Sequence, residues 1–315
     1  MKNQQSENCL QFNEYLKTCR QKYNFTQEEL VQELYNFSDS FAGLDIRTLS
    51  RWEKGSTKPT AAKQVIIVEL FQKYSTHIFP CFYNQENIEE ELCRVGIGNL
   101  IGNSKEHIIN FPTNIFKADD INISHIRSHE DIDLILSMPH SIIEGLTSNY
   151  FQITTKHLKE WSLHPSNLLL VDHSNSDFLG MFFTLRLKPE SFKKLISFEM
   201  NLIELVDRDF ATPDEEACNF PFAFFAYNDR VATLLYLRYY AHLIANQDTI
   251  VEVGTTPLLE SGKKLVEKIH LKHIEDKKLE SGTLSSYSAP IEDVLINEDV
   301  LKMIFLKQDC PEDSN

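Results

Sequence analysis

The chain has 315 residues, 42% of them hydrophobic and 24% charged, the composition of a soluble globular protein with room for about two domains. No apolar run approaches the roughly 18 residues of a membrane span, and residues 1–11 lack the apolar core of a secretory signal. The six cysteines are scattered without a C-x-x-C pair, which argues against a zinc site or disulfide framework and for a reducing, cytoplasmic setting.

Residues 1–9 read as a tail. Leu10 to Lys22 predicts a first helix with Phe12, Tyr15, Leu16 and Cys19 on one face. Thr26 opens a second helix running to about Tyr35. Glu29 completes a capping box with it, and Glu28 and Glu29 sit where the helix dipole favours negative charge. Asp45 to Lys54 predicts a third helix, N-capped by Asp45 and ended by Gly55. Leu49, Trp52 and Glu53 follow an i, i+3, i+4 spacing, while Ile46, Arg47, Ser50 and Arg51 lie mostly on other faces. An apolar back with an arginine front suits the DNA major groove, where Arg can donate two hydrogen bonds to guanine. The same pattern also describes an ordinary amphipathic surface helix. Pro59-Thr60 restarts the chain, and Val65, Ile66, Val68, Leu70 and Phe71 supply a fourth helix that closes a small core.

The words TQEEL, Gly-Leu-Asp, TLSRWEKG and Pro59 resemble the helix-turn-helix domain of the phage repressor and Cro type, the XRE family, over residues 10 to 75. Leu16 and Arg20 match its first-helix pattern, Thr26-Gln27 its second helix, and Asp45 the start of its recognition helix. The resemblance implies that Gln27, Ile46, Arg47, Ser50 and Arg51 read bases or phosphates, with Lys54 and Lys58 near phosphate. It also implies double-stranded DNA as partner and a homodimer on two-fold related half-sites. One departure is visible: Tyr35 to Ala42 stands before Gly43, where the family has a turn of a few residues. A longer second helix or a bulged turn would absorb it.

The net charge of −15 is unevenly spread. Residues 1–75 hold 10 Lys and Arg against 9 Asp and Glu, leaving 21 against 37 in the remainder. The basic patch is therefore local to the motif, and DNA should repel the acidic remainder.

Beyond Ser75 the pattern weakens. Asn84 to Glu91 reads as an acidic helix. The glycines between Arg94 and Asn103 match neither a dinucleotide loop nor a Gly-Lys-Ser/Thr loop, which leaves a linker or turn. From Ile121 strands and helices alternate. Strands are predicted at Ile121 to Arg127, Leu168 to Asp172, Phe178 to Lys188, Phe220 to Tyr227, Ile250 to Val253, and as a pair from Leu284 onward. Helices are predicted at His129 to Ile143, Thr155 to Trp161, Ser191 to Asp207, Val231 to Ala245, and Ser261 to His270. The turn from Ser174 to Asp177 marks a hairpin. The order points to an α/β or α+β sheet domain.

That order resembles the GNAT superfamily of acyltransferases over residues 120 to 300. In that superfamily a strand, here Phe220 to Tyr227, runs into an Arg/Gln-x-x-Gly-x-Gly/Ala loop whose amides hold the coenzyme A pyrophosphate at a helix N-terminus. Arg230 matches the first position and is the candidate cofactor-binding residue. Thr233 and Leu235 stand where the small residues belong and are expected to crowd phosphates. The resemblance thus implies the fold without the activity: no catalytic residue is assigned and no cofactor is expected, acyl-CoA remaining the candidate effector. Phe222, Phe224, Tyr236 and Tyr240 would line a cleft for an apolar ligand or form a packed core, and Tyr239 shares the helix of Tyr236 and Tyr240. His270 and His273 read as a solvated helix end rather than a metal site.

The sequence therefore predicts a multidomain protein. An all-α helix-turn-helix domain occupies residues 1–75, a linker 76–119, and a GNAT-like α/β domain for sensing or dimerisation 120–315. The expected function is sequence-specific transcriptional regulation, with a small-molecule effector open. The alternatives are a DNA-tethered acyltransferase and an antitoxin or phage-repressor-like protein that binds a protein partner.

Overall fold

The computed structural model describes residues 11–75, 122–126, 153–174, 177–257, 262–263, 266, 269–279 and 282–305. The acidic segment 84–91, the glycine-spaced stretch 94–103, the helix expected at 129–143 and most of 261–268 lie outside them. Contacts divide the chain into two compact units. The first comprises residues 1–108, 240–247 and 295–315, and the second comprises 109–239 and 248–294. Residues 240–247 and 295–305 thus group with the amino-terminal helices.

The first unit is helical. Helices α1 (Phe12–Lys22), α2 (Gln27–Phe37), α3 (Ile46–Glu53) and α4 (Ala61–Gln72) follow one another. The predicted face of α1 is buried: Phe12, Tyr15, Leu16 and Cys19 are all at most 2% exposed. In α4 the core is made by Ile67, Val68, Leu70 and Phe71, while Val65 and Ile66 are only half-buried. The extra residues before Gly43 are absorbed in both foreseen ways. Helix α2 runs on to Phe37, and a short 3-10 turn, Asp39–Phe41, buries Phe41 edge-on to Trp52. Gly43 then turns the chain at φ 84°, a conformation a side chain would strain.

The second unit is a mixed sheet with helices. Its strands are β1 (Asn122–His125), β2 (Leu168–Ser174), β3 (Asp177–Leu187), β4 (Ala217–Ala226), β5 (Ile250–Thr255), β6 (Lys272–Leu279) and β7 (Gly282–Pro290), in the order β1-β2-β3-β4-β5-β7-β6. All neighbours are antiparallel except β4 and β5. Helices α5 (Thr155–Leu163) and α6 (Pro189–Ile196) bring Trp161 and Phe192 into a core with Leu169, Val171, Met181, Phe183, Leu185 and Phe220. Helix α7 (Asp229–Ala245) covers the opposite face of β3. A Cβ on Gly180 would meet Val231 at 2.7 Å, and Phe182 stacks on Tyr239 at 4.3 Å. With both faces covered, β2 and β3 read as near-continuous apolar runs.

Two predicted elements of the second half of the chain are built differently. The region 191–207 is not one helix: α6 starts at Pro189, whose fixed φ suits a first helical turn, and 3-10 turns follow. The carboxy-terminal region is not a strand pair from Leu284 onward. Strand β6 begins at Lys272, and after β7 come helices α8 (Ile291–Leu295) and α9 (Glu298–Phe305). Among the described residues no helix is long and apolar enough to cross a membrane.

Candidate functional site

Helix α3 is built as its sequence implies. Asp45 accepts a hydrogen bond from the Thr48 amide at 2.7 Å. Hydrogen bonds from Thr48 hold its carboxyl below the ordinary carboxylate range, and Arg47 and Arg51 add to this. At the other end Gly55 takes φ 69°, and the amide of Ser56 reaches back to the Arg51 carbonyl at 3.0 Å. The capping box on α2 is closed in both directions, Glu29 N to Thr26 Oγ1 at 3.1 Å and Thr26 N to Glu29 Oε2 at 2.7 Å.

These ends fix which side of α3 faces out. Leu49, Trp52 and Glu53 are buried. Ile46 is 43% exposed, Arg47, Arg51 and Lys54 are exposed, and Ser50 is half-buried. The outward face is therefore one apolar residue flanked by cations, with no acidic side chain among the exposed residues 46–54.

The buried Glu53 reveals a tie that sequence reasoning missed. Its carboxylate accepts from Arg20 Nε at 2.5 Å, from Arg20 Nη2 at 3.2 Å and from Gln27 Nε2 at 2.6 Å. Arg20 also donates to the Phe25 carbonyl at 2.8 Å. One carboxylate thus joins the end of α1, the start of α2 and the end of α3. Gln27, expected to face DNA, is half-buried and bound to Glu53. Lys58 donates to the Phe305 carbonyl at 2.5 Å. The signal for the tie was present: an acidic residue in the i, i+4 position of an apolar stripe requires a buried partner.

In the second unit, Arg230 is exposed at the start of α7. The helix expected at Val231 to Ala245 is present, so the residues matched to the phosphate-loop pattern are helical: the buried Asn228 caps the helix, its Oδ1 accepting from Val231 N at 2.9 Å. Thr233 needs no positive φ because it is already helical. Leu235 does not point toward a phosphate position but packs with Val231 against Gly180. What Asn228 does is use one of the amides an anion would need.

The expected aromatic lining is also divided. β4 carries a bulge, Phe183 pairing with Ala223 and Thr184 with Pro221. Phe222 packs on Phe183 and Trp161, whereas Phe224 packs on Tyr236 at 4.8 Å, on the α7 face. Tyr239 donates to Asn219 Oδ1 at 2.9 Å, and Thr184 donates to the same oxygen. These tyrosines are core groups. β4 pairs with β5 only from Ala217 to Asn219, and among the described residues Ala223–Ala226 pairs with β3 alone.

Other titratable groups of the described residues are held by burial or by hydrogen bonds. Burial pushes the Cys218 thiol up to about 12. Arg186 is buried and donates to the carbonyls of Thr212, Pro213 and Glu215, which pins that loop. His270 lies in a turn at φ 64° and His273 on β6 beside Asp276, so the two do not share a helix end. Among the described residues no group of three or more His, Cys, Asp or Glu is placed to hold a metal ion.

No protein-family model and no curated protein matches the chain. Solved structures similar to it include an N-acetyltransferase from Staphylococcus aureus Mu50, at 14% identity over 55% of this chain and 99% of that one, with a TM-score of 0.36. A mosquito arylalkylamine N-acetyltransferase-like protein matches at 12% identity over 54% and 100% of the two chains, TM-score 0.38. An aminoglycoside N(6')-acetyltransferase from Legionella pneumophila matches at 12% identity over 57% and 98%, TM-score 0.35. At these scores the likeness bears on neither substrate nor activity, and the chemistry of the second unit rests on its own residues.

Proposed function

We propose that the chain is a sequence-specific DNA-binding regulator whose helices α2 and α3 form a helix-turn-helix. The observation that carries the reading is the outward face of α3: Ile46, Arg47, Arg51 and Lys54 exposed, on a back made rigid by Leu49, Trp52 and Glu53. A rigid helix with exposed arginines in its first two turns can reach base edges in the major groove. The chain would act as a homodimer on half-sites about one helical turn apart, the second unit serving assembly or the sensing of a small molecule. Selection of duplexes from a randomised pool with the full chain tests this. A two-fold symmetric site should be enriched, and no enrichment above input would overturn the reading.

A second reading has its own support. The strand order with a single parallel pair, β4 and β5, agrees with the GNAT-like fold inferred from sequence. Against tight pyrophosphate binding stands the Asn228 cap on Val231 N. The balance favours a fold retained for sensing over catalysis. Calorimetry with acetyl-CoA, followed by turnover on a panel of amines, separates the outcomes. Binding with turnover makes the chain a DNA-tethered acyltransferase, binding alone makes acyl-CoA an effector, and neither leaves the second unit to assembly or to a protein partner.

A further inference from the structure

The first unit contains one helix that arrives from the far end of the sequence. Helix α9 is capped by the buried Asn297, whose Oδ1 accepts from Val300 N at 3.0 Å. Its residues Val300, Leu301, Ile304 and Phe305 form one apolar face and are at most 4% exposed. Lys302 and Glu298 pair at 3.7 Å on the exposed side. The buried face packs against α4, and the Phe305 ring meets Phe12 edge-on at 5.4 Å and Tyr15 at 5.2 Å. Phe12 and Tyr15 are the apolar face of α1. Helices α1 and α4 therefore owe part of their cover to residues that follow the whole sheet in sequence.

The same helix reaches the connection that follows the DNA-facing helix. The Phe305 carbonyl accepts from Lys58 Nζ at 2.5 Å, and Lys58 lies between the end of α3 and the start of α4. In sequence, residues 291–297 lie between β7 and α9. The last residues of β7, Tyr287–Pro290, pair with β5 at Glu252–Thr255. Strand β5 is in turn the parallel partner of β4.

We propose that α9 is a completing helix of the DNA-binding unit, and that it makes DNA affinity conditional on the carboxy-terminal end of the chain. The unit that reads DNA is then not residues 1–75 alone. The segment from β7 through α8 links α9 covalently to the sheet. This inference rests on the DNA-binding reading above.

The test uses the full chain, Phe305→Ala and Phe305→Leu. Hydrogen exchange measured by mass spectrometry reads docking independently of DNA, and binding to a duplex selected by the wild-type chain reads function. In Phe305→Ala, amides of α1 and α4 should lose protection at least tenfold while those of β2, β3 and β4 keep theirs. Affinity for the selected duplex should fall at least tenfold, and Phe305→Leu should restore most of both. Unchanged protection in α1 and α4 would overturn the docking, and so would loss spread equally over the sheet. Lost protection with unchanged DNA affinity would overturn the dependence of binding on α9. A wild-type chain that selects no duplex overturns the DNA reading and, with it, the role of α9 in affinity; the exchange data alone then decide whether α9 is docked.

Discussion

Replacing Arg20 with alanine is expected to destabilise the first unit by about 3 kcal/mol, the lower end of the cost of breaking a buried ion pair. The lower end applies because the Arg20 side chain keeps 15% exposure, whereas that of Glu53 keeps 5%. Without Arg20, the Glu53 carboxylate stays buried with Gln27 as its remaining side-chain hydrogen-bond donor. A charge so placed costs more than the lost attraction, because it cannot recover its water. A domain stabilised by roughly 5–15 kcal/mol loses a large fraction of its margin this way. The measurement is a urea titration followed by Trp52 fluorescence in a Trp161→Phe background. The double variant Arg20→Met with Glu53→Leu should recover much of the loss, since it removes both charges and keeps apolar volume. Equal losses in the single and double variants would place the cost in packing and discard the buried-charge account.

What the sequence made legible was mostly local. The capping box of Thr26 and Glu29, the Asp45 cap and the Gly55 stop are decided within a few residues, and each forms as expected. The face of α1 was readable because four apolar residues share one helical stripe. The features that were not legible depend on partners distant in sequence. Glu53 declared only that it needed a partner, and Arg20 lies 33 residues away. Helix α9 is short, and its covering role depends on Phe12 and Tyr15 at the other end of the chain. Strand β6 is an edge strand with every residue from Lys272 to Asp276 exposed, so it carries no alternation to read. Charged side chains of this kind blunt an edge against further pairing. The helix from Val231 was legible, but its cap was missed for a different reason. Asn228 is itself a capping signal, and matching the loop pattern around Arg230 hid it.

The candidate DNA contacts divide by what already holds them. Gln27 is bound to Glu53 and Lys58 to the Phe305 carbonyl, so both sit in the scaffold as much as on its surface. Arg47 and Arg51 are different. They project from the first two turns of α3 and are exposed. Their helix is held at both ends, by Asp45 and by the Glu53 tie, so its orientation is fixed within the chain itself. Pre-orientation matters because a bidentate guanine contact tolerates little angular error. Arg47→Ala is therefore expected to weaken binding to the selected site by about 1–3 kcal/mol and to relax preference at one base pair. Its effect on random DNA should be much smaller, since non-specific binding counts phosphate contacts and not base edges. Arg51→Ala should behave alike at a different base pair, and the two losses should be close to additive if each reads its own base. Titrations of both variants against the selected duplex and a scrambled one, at two salt concentrations, make the comparison. A change in salt slope of about one, with equal losses on both duplexes, would move the arginine concerned from base edge to phosphate. If that held for both arginines, α3 would position the protein on DNA without reading sequence, and specificity would have to come from DNA shape instead.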